Sequence, residues 1–261
     1  MLSFTGITKP FLVVAGSLVF SLAAAGSAQA DAFNISKPTA ISTTTPTGDP
    51  TVSIGDFGNG VVAWPAQGYV YARLRSEEGT LSPVSKLGTS STCLDSDVAG
   101  NGTTAVAWTS VTLKVAVAPL HGKFGRVRSL PTGPGCGEFK VVQTDNRTVL
   151  IWQSGTQIWF SIANGGGAFG PAALFDDARS ARLDATHAAD DSVLVAYHPQ
   201  WSSTPWNRTQ VAVKRLAADS TTFSARQIVS SDTAANSESG TLGFFNGANE
   251  TSLGSFTEGG G

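Results

Sequence analysis

A short motif recurs four times at a nearly constant interval, and this spacing limits the architectures open to the chain more than any other feature. A turn of Gly, Asn or Asp is followed by a brief apolar run that ends in an aromatic residue. The copies are Gly58-Asn59-Gly60-Val61-Val62-Ala63-Trp64, Gly100-Asn101-Gly102 with Ala105-Val106-Ala107-Trp108, Asp145-Asn146-Arg147 with Val149-Leu150-Ile151-Trp152, and Asp190-Asp191 with Val193-Leu194-Val195-Ala196-Tyr197. Successive aromatics lie about 44 residues apart. A second anchor keeps the same register: Gly79-Thr80-Leu81, Gly122-Lys123-Phe124 and Gly167-Ala168-Phe169, with Phe223 displaced by an insertion in the fourth unit. Six residues past each second anchor comes another apolar residue: Leu87, Leu130, Phe175 and Val229. Self-similarity at a fixed period is the signature of a repeat architecture.

Each unit reads as four short strands. The first precedes the turn, as in Thr51 to Ile54, and the second is the run ending in Trp or Tyr. The third covers Tyr69 to Leu74, Lys114 to Ala118, Gln157 to Ala163 or Gln210 to Leu216, and the fourth follows the second anchor. Gly, Asn and Asp tolerate positive φ and suit tight hairpins. The second strand is apolar on both faces, with Val62 and Trp64 on one side and Val61 and Ala63 on the other. Such a strand must lie between two layers. A β-propeller supplies them, because its four-stranded blades stack around a central channel. A β-sandwich does not need a fixed interval, and the strand-like alternation excludes helical repeats. The expected fold is all-β: a propeller with blades of about 44 residues, its ring incomplete in this chain.

Composition agrees. Charged residues are only 14% of the chain, while Gly (29) and Pro (12) are plentiful. A formal net charge of −2 gives no basis for nucleic acid as partner. The first 30 residues carry Lys9, an uncharged apolar stretch from Phe11 to Ala25, and Ser27-Ala28-Gln29-Ala30 as a cleavage site. They read as a secretory signal peptide, so a secreted or extracytoplasmic mature chain is expected, with no membrane span after signal removal. Residues 31–47 read as a closing strand (Phe33-Asn34-Ile35-Ser36-Lys37-Pro38) and a Ser/Thr/Pro-rich linker. Residues 48–261 hold the repeats, with blades near 48–92, 93–136, 137–181 and 182–235 and a partial one over 236–261.

Cys93 and Cys136 occupy equivalent places in adjacent units, and in an exported chain they are expected to form a disulfide between blades. Chain-entropy reasoning puts its contribution at about 4 kcal/mol. The scattered His121, His187 and His198 offer no ligand spacing, so neither a metal nor a cofactor is expected. Acidic residues pair at Asp95/Asp97, Asp176/Asp177 and Asp190/Asp191. Two carboxylates can serve glycoside chemistry, but Asp also forms turns by bonding its own backbone, and the turn reading is preferred here.

The fourth-unit insertion is the one break in regularity. It places His198, Trp201, Trp206 and Arg208 in a loop outside the strand pattern. Exposed indoles stack on sugar rings, and His198 and Arg208 would add hydrogen bonds. The competing reading is that both Trp pack the loop onto its own blade.

The Gly-Asn-Gly hairpins, Gly-x-Phe turns and unit length resemble the repeats of secreted bacterial β-propellers of the sialidase-like group, over roughly Gly48 to Asp232. The resemblance implies a scaffold and not an activity. Sialidases carry Ser-x-Asp-x-Gly-x-x-Trp boxes and an Arg-Ile-Pro segment. No complete box and no Arg-Ile-Pro occurs here, so no catalytic residue carries over. The expected function is an exported binding module that recognises an extracellular glycan or protein through its blade loops. The alternative is a sialidase-like glycoside hydrolase whose catalytic residues lie partly outside this chain.

Overall fold

The computed structural model describes residues 41–42, 44–89, 93–130, 138–177, 179–200, 211–229, 241–247 and 250–256. The chain divides into two compact units, Met1–Thr43 and Thr44–Gly261, and every element below belongs to the second. Among the described residues, eighteen strands form five antiparallel sheets in chain order. The first holds β1 (Thr51–Ile54), β2 (Gly60–Ala66), β3 (Tyr69–Arg75) and β4 (Ser85–Thr89). The second holds β5 (Leu94–Val98), β6 (Thr104–Thr109), β7 (Leu113–Ala118) and β8 (Arg128–Ser129). The third holds β9 (Phe139–Gln143), β10 (Arg147–Ser154), β11 (Gln157–Asn164) and β12 (Ala173–Asp176). The fourth holds β13 (Arg179–His187), β14 (Val193–Gln200), β15 (Ala212–Leu216) and β16 (Gln227–Ile228). A two-stranded hairpin, β17 (Thr241–Gly247) and β18 (Glu250–Phe256), follows. Each four-stranded sheet is a meander in sequence order, which is the blade predicted from the repeats.

The blades stack through their second strands. Val61 and Ala63 on one face of β2 join Val106 and Trp108 of β6 in one buried cluster. Ala105 and Ala107, on the opposite face of β6, join Leu150 and Trp152 of β10. Val149 and Ile151 join Val195 and Tyr197 of β14. Trp108, Trp152 and Tyr197 are therefore wedges that the second, third and fourth blades each drive into the blade before. Trp108, Trp152 and Tyr197 are all at most 1% exposed. The polar atoms of Trp108 and Tyr197 also reach the preceding blade's fourth strand. Trp108 Nε1 donates to the Thr89 carbonyl at 2.9 Å, and the Tyr197 hydroxyl donates to Asp176. The second anchors Phe124, Phe169 and Phe223 pack against the same three clusters. Val229 departs from the expected pattern, being half exposed at 50%.

The turn residues have a reason beyond hairpin geometry. Gly58, Gly102 and Asp191 adopt left-handed backbone, at φ 77°, 80° and 65°. The neighbouring side chains then tie each turn to the next. Asn59 Nδ2 donates to the Gly102 carbonyl at 3.4 Å. The Asn101 amide donates to Asp145 Oδ1 at 2.7 Å, and the Asp145 amide to Asp191 Oδ1 at 2.8 Å. Four successive blades are laced along one end by the Asn and Asp that recur in the motif.

The first strands of successive blades lie against one another, β1 on β5, β5 on β9 and β9 on β13. One contact skips a blade. His187 Nδ1 on β13 lies 3.4 Å from Asp97 Oδ2 on β5. Two sheets that are not neighbours can meet this way only if their first strands wrap a common axis, as the innermost strands of a propeller do.

Candidate functional site

The inner strands carry the densest set of interacting charges among the described residues. Asp95 and Asp97 sit on alternate positions of β5, so both point to the same side. Each accepts a backbone N–H from the next inner strand: Val141 N to Asp95 Oδ2 at 2.7 Å and Gln143 N to Asp97 Oδ2 at 2.8 Å. Lys140 on β9 lies between two carboxylates, 3.2 Å from Asp184 on β13 and 4.0 Å from Asp95. His187 completes the set beside Asp97. All five side chains keep between 14% and 31% of their surface open.

Partial burial sets the protonation states. Burial pushes the Asp95 carboxyl up, Lys140 and the Val141 amide pull it back, and the balance leaves it at about 6. Burial alone would lower His187; its hydrogen bond to Asp97 and the nearby acidic charges outweigh that and raise it. Burial would likewise lower Lys140, but Asp95 and Asp184 hold it above its ordinary value.

A stability prediction follows for Asp95. A carboxyl raised in the folded state favours folding below its unfolded pKa, and that advantage is lost as pH rises from about 4 to 6. Asp95→Asn keeps an oxygen for the Val141 amide and removes the titration. Relative to the native chain, it should fare better at pH 7.5 than at pH 4 in chemical denaturation. An equal difference at both pH values would refute the assignment.

These positions correct the sequence reading. Asp95 and Asp97 were expected at a turn, yet they form part of a strand. The signal was present, because the same reading places a strand just before each Gly/Asn/Asp turn. Asp176 is also no turn residue; it ends β12 and is 8% exposed. Asp190 does act at a turn, accepting from the Ser192 amide and hydroxyl.

His198 was expected in the inserted loop, but it is buried on β14 at 7% exposure. The strand runs on to Gln200 because β13 extends opposite it, pairing Arg179 with Gln200 and Ser180 with Pro199. A register irregularity between Ser180 and Leu183 accompanies this stretch, the kind of place where a strand accepts proline. Trp201, Trp206 and Arg208 lie outside the described residues. So does Cys136; Cys93 precedes β5 and borders a depression of about 350 Å3 at the other end of the inner strands, with Asp49 and Glu138. Among the described residues, no group of three or more His, Cys, Asp or Glu is placed to hold a metal. No helix among them is long and apolar enough to cross a membrane.

No protein-family model matches the chain, and no curated protein matches it. Solved structures with similar architecture include AofleA from Arthrobotrys oligospora, with a TM-score of 0.48 and 11% identity over 71% of this chain and 57% of that one. The α-L-arabinofuranosidase Arb93A of Fusarium graminearum gives 0.45 and 10%, covering 78% of this chain and 73% of the other. The α-L-arabinanase of Penicillium chrysogenum gives 0.44 and 11%, covering 85% and 82%. The chain thus spans a little over half the length of AofleA. The class that the fold defines is the β-propeller, and its own blades and inner strands carry that assignment.

Proposed function

We propose that this chain is an exported propeller that binds a carbohydrate at the inner-strand cluster. The observation that supports it is the convergence of Asp95, Asp97, Lys140, Asp184 and His187 from three successive blades. Carboxylates accept hydrogen bonds from vicinal hydroxyls, while an ammonium and an imidazole supply donors. Three acids set against two bases leave a site near electrical balance, which suits a neutral, hydroxyl-rich ligand over a strongly charged one. The expected Cys93–Cys136 disulfide and the signal peptide are part of this proposal, because both belong to an oxidising compartment.

The test is a glycan array followed by titration calorimetry on the best ligand. Asp97→Asn should weaken binding at least about tenfold, the loss expected for a hydrogen bond to a charged group. An array that returns no glycan, or a ligand indifferent to both Asp97→Asn and Asp184→Asn, would remove the proposal.

A second reading is glycoside hydrolysis. Its support is an acid held near pH 6 at Asp95 beside the carboxylates Asp97 and Asp184, since unequal environments divide carboxyl groups into acid and base roles. Against it, both β5 carboxylates already hold the β9 backbone. Turnover of fluorogenic glycosides, abolished by Asp95→Asn, would favour hydrolysis over binding.

A further inference from the structure

A second opening lies away from the axis. Between the first two blades, at the end where the laced turns lie, a pocket of about 290 Å3 opens beside the β3–β4 hairpin. Leu81, Pro83, Pro119 and Leu120 give it apolar walls, and Arg75 and His121 line it as well. Ligand sites for drug-sized molecules occupy about 300–1,000 Å3, so this one suits a single sugar ring.

The gap is open for a sequence reason. The residue five before each anchor aromatic is Asn59 in the first blade and Arg147 in the third. Arg147 fills the gap between the third and fourth blades, donating to the Ala217 carbonyl at 2.9 Å and the Ser220 carbonyl at 2.6 Å. Asn59 is too short to do the same and stops at the Gly102 carbonyl.

Arg75 is anchored on one side only. Its Nη1 donates to the Gly58 carbonyl and, at 3.5 Å, to that of Ser76. Its Nε and Nη2 donors form no hydrogen bond among the described residues, and Arg75 enters no ion pair there, although Glu77 and Glu78 share its hairpin. The Glu78 carboxylate bonds Ser76 instead, which helps hold it below its usual range. Gly79, at φ 86°, leaves the guanidinium uncovered; a Cβ there would stand 3.2 Å from Nη2. The Nε/Nη2 edge is the one that grips a carboxylate with two parallel bonds.

We propose that this inter-blade pocket binds a hexuronate unit, its carboxylate on the free edge of Arg75 and its ring between the proline and leucine walls. The inference extends the saccharide reading by adding a second subsite for an acidic sugar. Calorimetry with D-galacturonate and D-galactose tests it, using the native chain, Arg75→Gln, Gly79→Ala and Asp97→Asn. The native chain should hold galacturonate about tenfold or more tighter than galactose, the effect of charge-assisted bonds. Arg75→Gln should erase that preference, whereas Asp97→Asn, which acts on the inner-strand site, should leave galacturonate affinity at this pocket unchanged. A preference that survives Arg75→Gln, or that is absent from the native chain, overturns the inference.

If Arg75→Gln fails to fold for want of its Gly58 bond, Gly79→Ala decides, because its methyl group crowds Nη2; undiminished galacturonate binding then overturns the inference. Acetate that displaces galacturonate at equal concentration overturns the sugar assignment. Galactose binding that depends on Asp97, without any preference for the acid, overturns this subsite alone. If neither sugar binds, this subsite is overturned and the inner-strand proposal is decided by the glycan array.

Discussion

Asp176→Asn is expected to lower stability by about 3–5 kcal/mol, the cost of breaking a buried ion pair by removing one partner. Asp176 ends the fourth strand of the third blade and is 8% exposed. It accepts from the Tyr197 hydroxyl and faces two cations from the fourth blade, Arg226 at 3.3 Å and Lys214 at 3.4 Å. Neutralising it removes the carboxylate that Lys214 and Arg226 share, and Lys214, with 13% of its side chain exposed against 34% for Arg226, lies in the drier part of the seam. Lys214 keeps the Phe175 carbonyl and the face of the Phe175 ring at 4.7 Å, which softens the loss without cancelling it. In a unit of this size each kcal/mol moves the melting temperature by about 2–4 °C, so a drop of roughly 10 °C should be seen. Tyr197→Phe removes one bond to the same carboxylate and should cost less, about 1.5–3 kcal/mol. The two changes share a partner, so the double variant should cost less than their sum. An Asp176→Asn melting point within a few degrees of the native value would show that the seam does not depend on this carboxylate.

Trp108→Ala is expected to cost about 3–5 kcal/mol, and Trp64→Ala distinctly less. The two residues hold equivalent positions in adjacent blades and are nearly equally hidden, at 0% and 3% exposure. Their surroundings differ. Trp108 belongs to a cluster of eight buried residues drawn from two blades, rests against Gly88 of the preceding blade, and donates to the Thr89 carbonyl. Among the described residues, Trp64 packs with Val62, Ala66 and Tyr71, and its Nε1 finds no hydrogen-bond partner. Val52 and Ile54, on the same face, are 60% and 65% exposed. Among the described residues, truncation at Trp64 breaks no donor–acceptor pair, whereas truncation at Trp108 breaks the bond to Thr89. Equal losses in chemical denaturation would mean that Trp64 is wedged as tightly as its counterparts.

The scaffold was legible because its signals are local and repeated. The turn chemistry, the doubly apolar second strand and the constant interval each point to stacked blades, and the structure places Trp108, Trp152 and Tyr197 as expected. The functional groups were less legible because their meaning depends on contacts between blades. Asp97 and His187 are 90 residues apart and meet only across the axis. Asp also favours turns, so the two residues of β5 were easily assigned to the wrong element. Arg75 carried no signal at all, because an arginine at a strand end is common. Its interest comes from which of its nitrogens are occupied and from a neighbouring residue that has no side chain.

The direction of the aromatic wedge bears on how the protein comes into being. Each blade leaves one face bare until the anchor of the following blade arrives about 44 residues later. Chains are made N-terminus first, and stacked repeats gain stability mainly from nearest neighbours. Assembly can therefore proceed like bricklaying, every course capping the previous one as synthesis continues, and a ribosome that stalls within a blade would leave a growing edge ready to adhere to whatever apolar surface it meets.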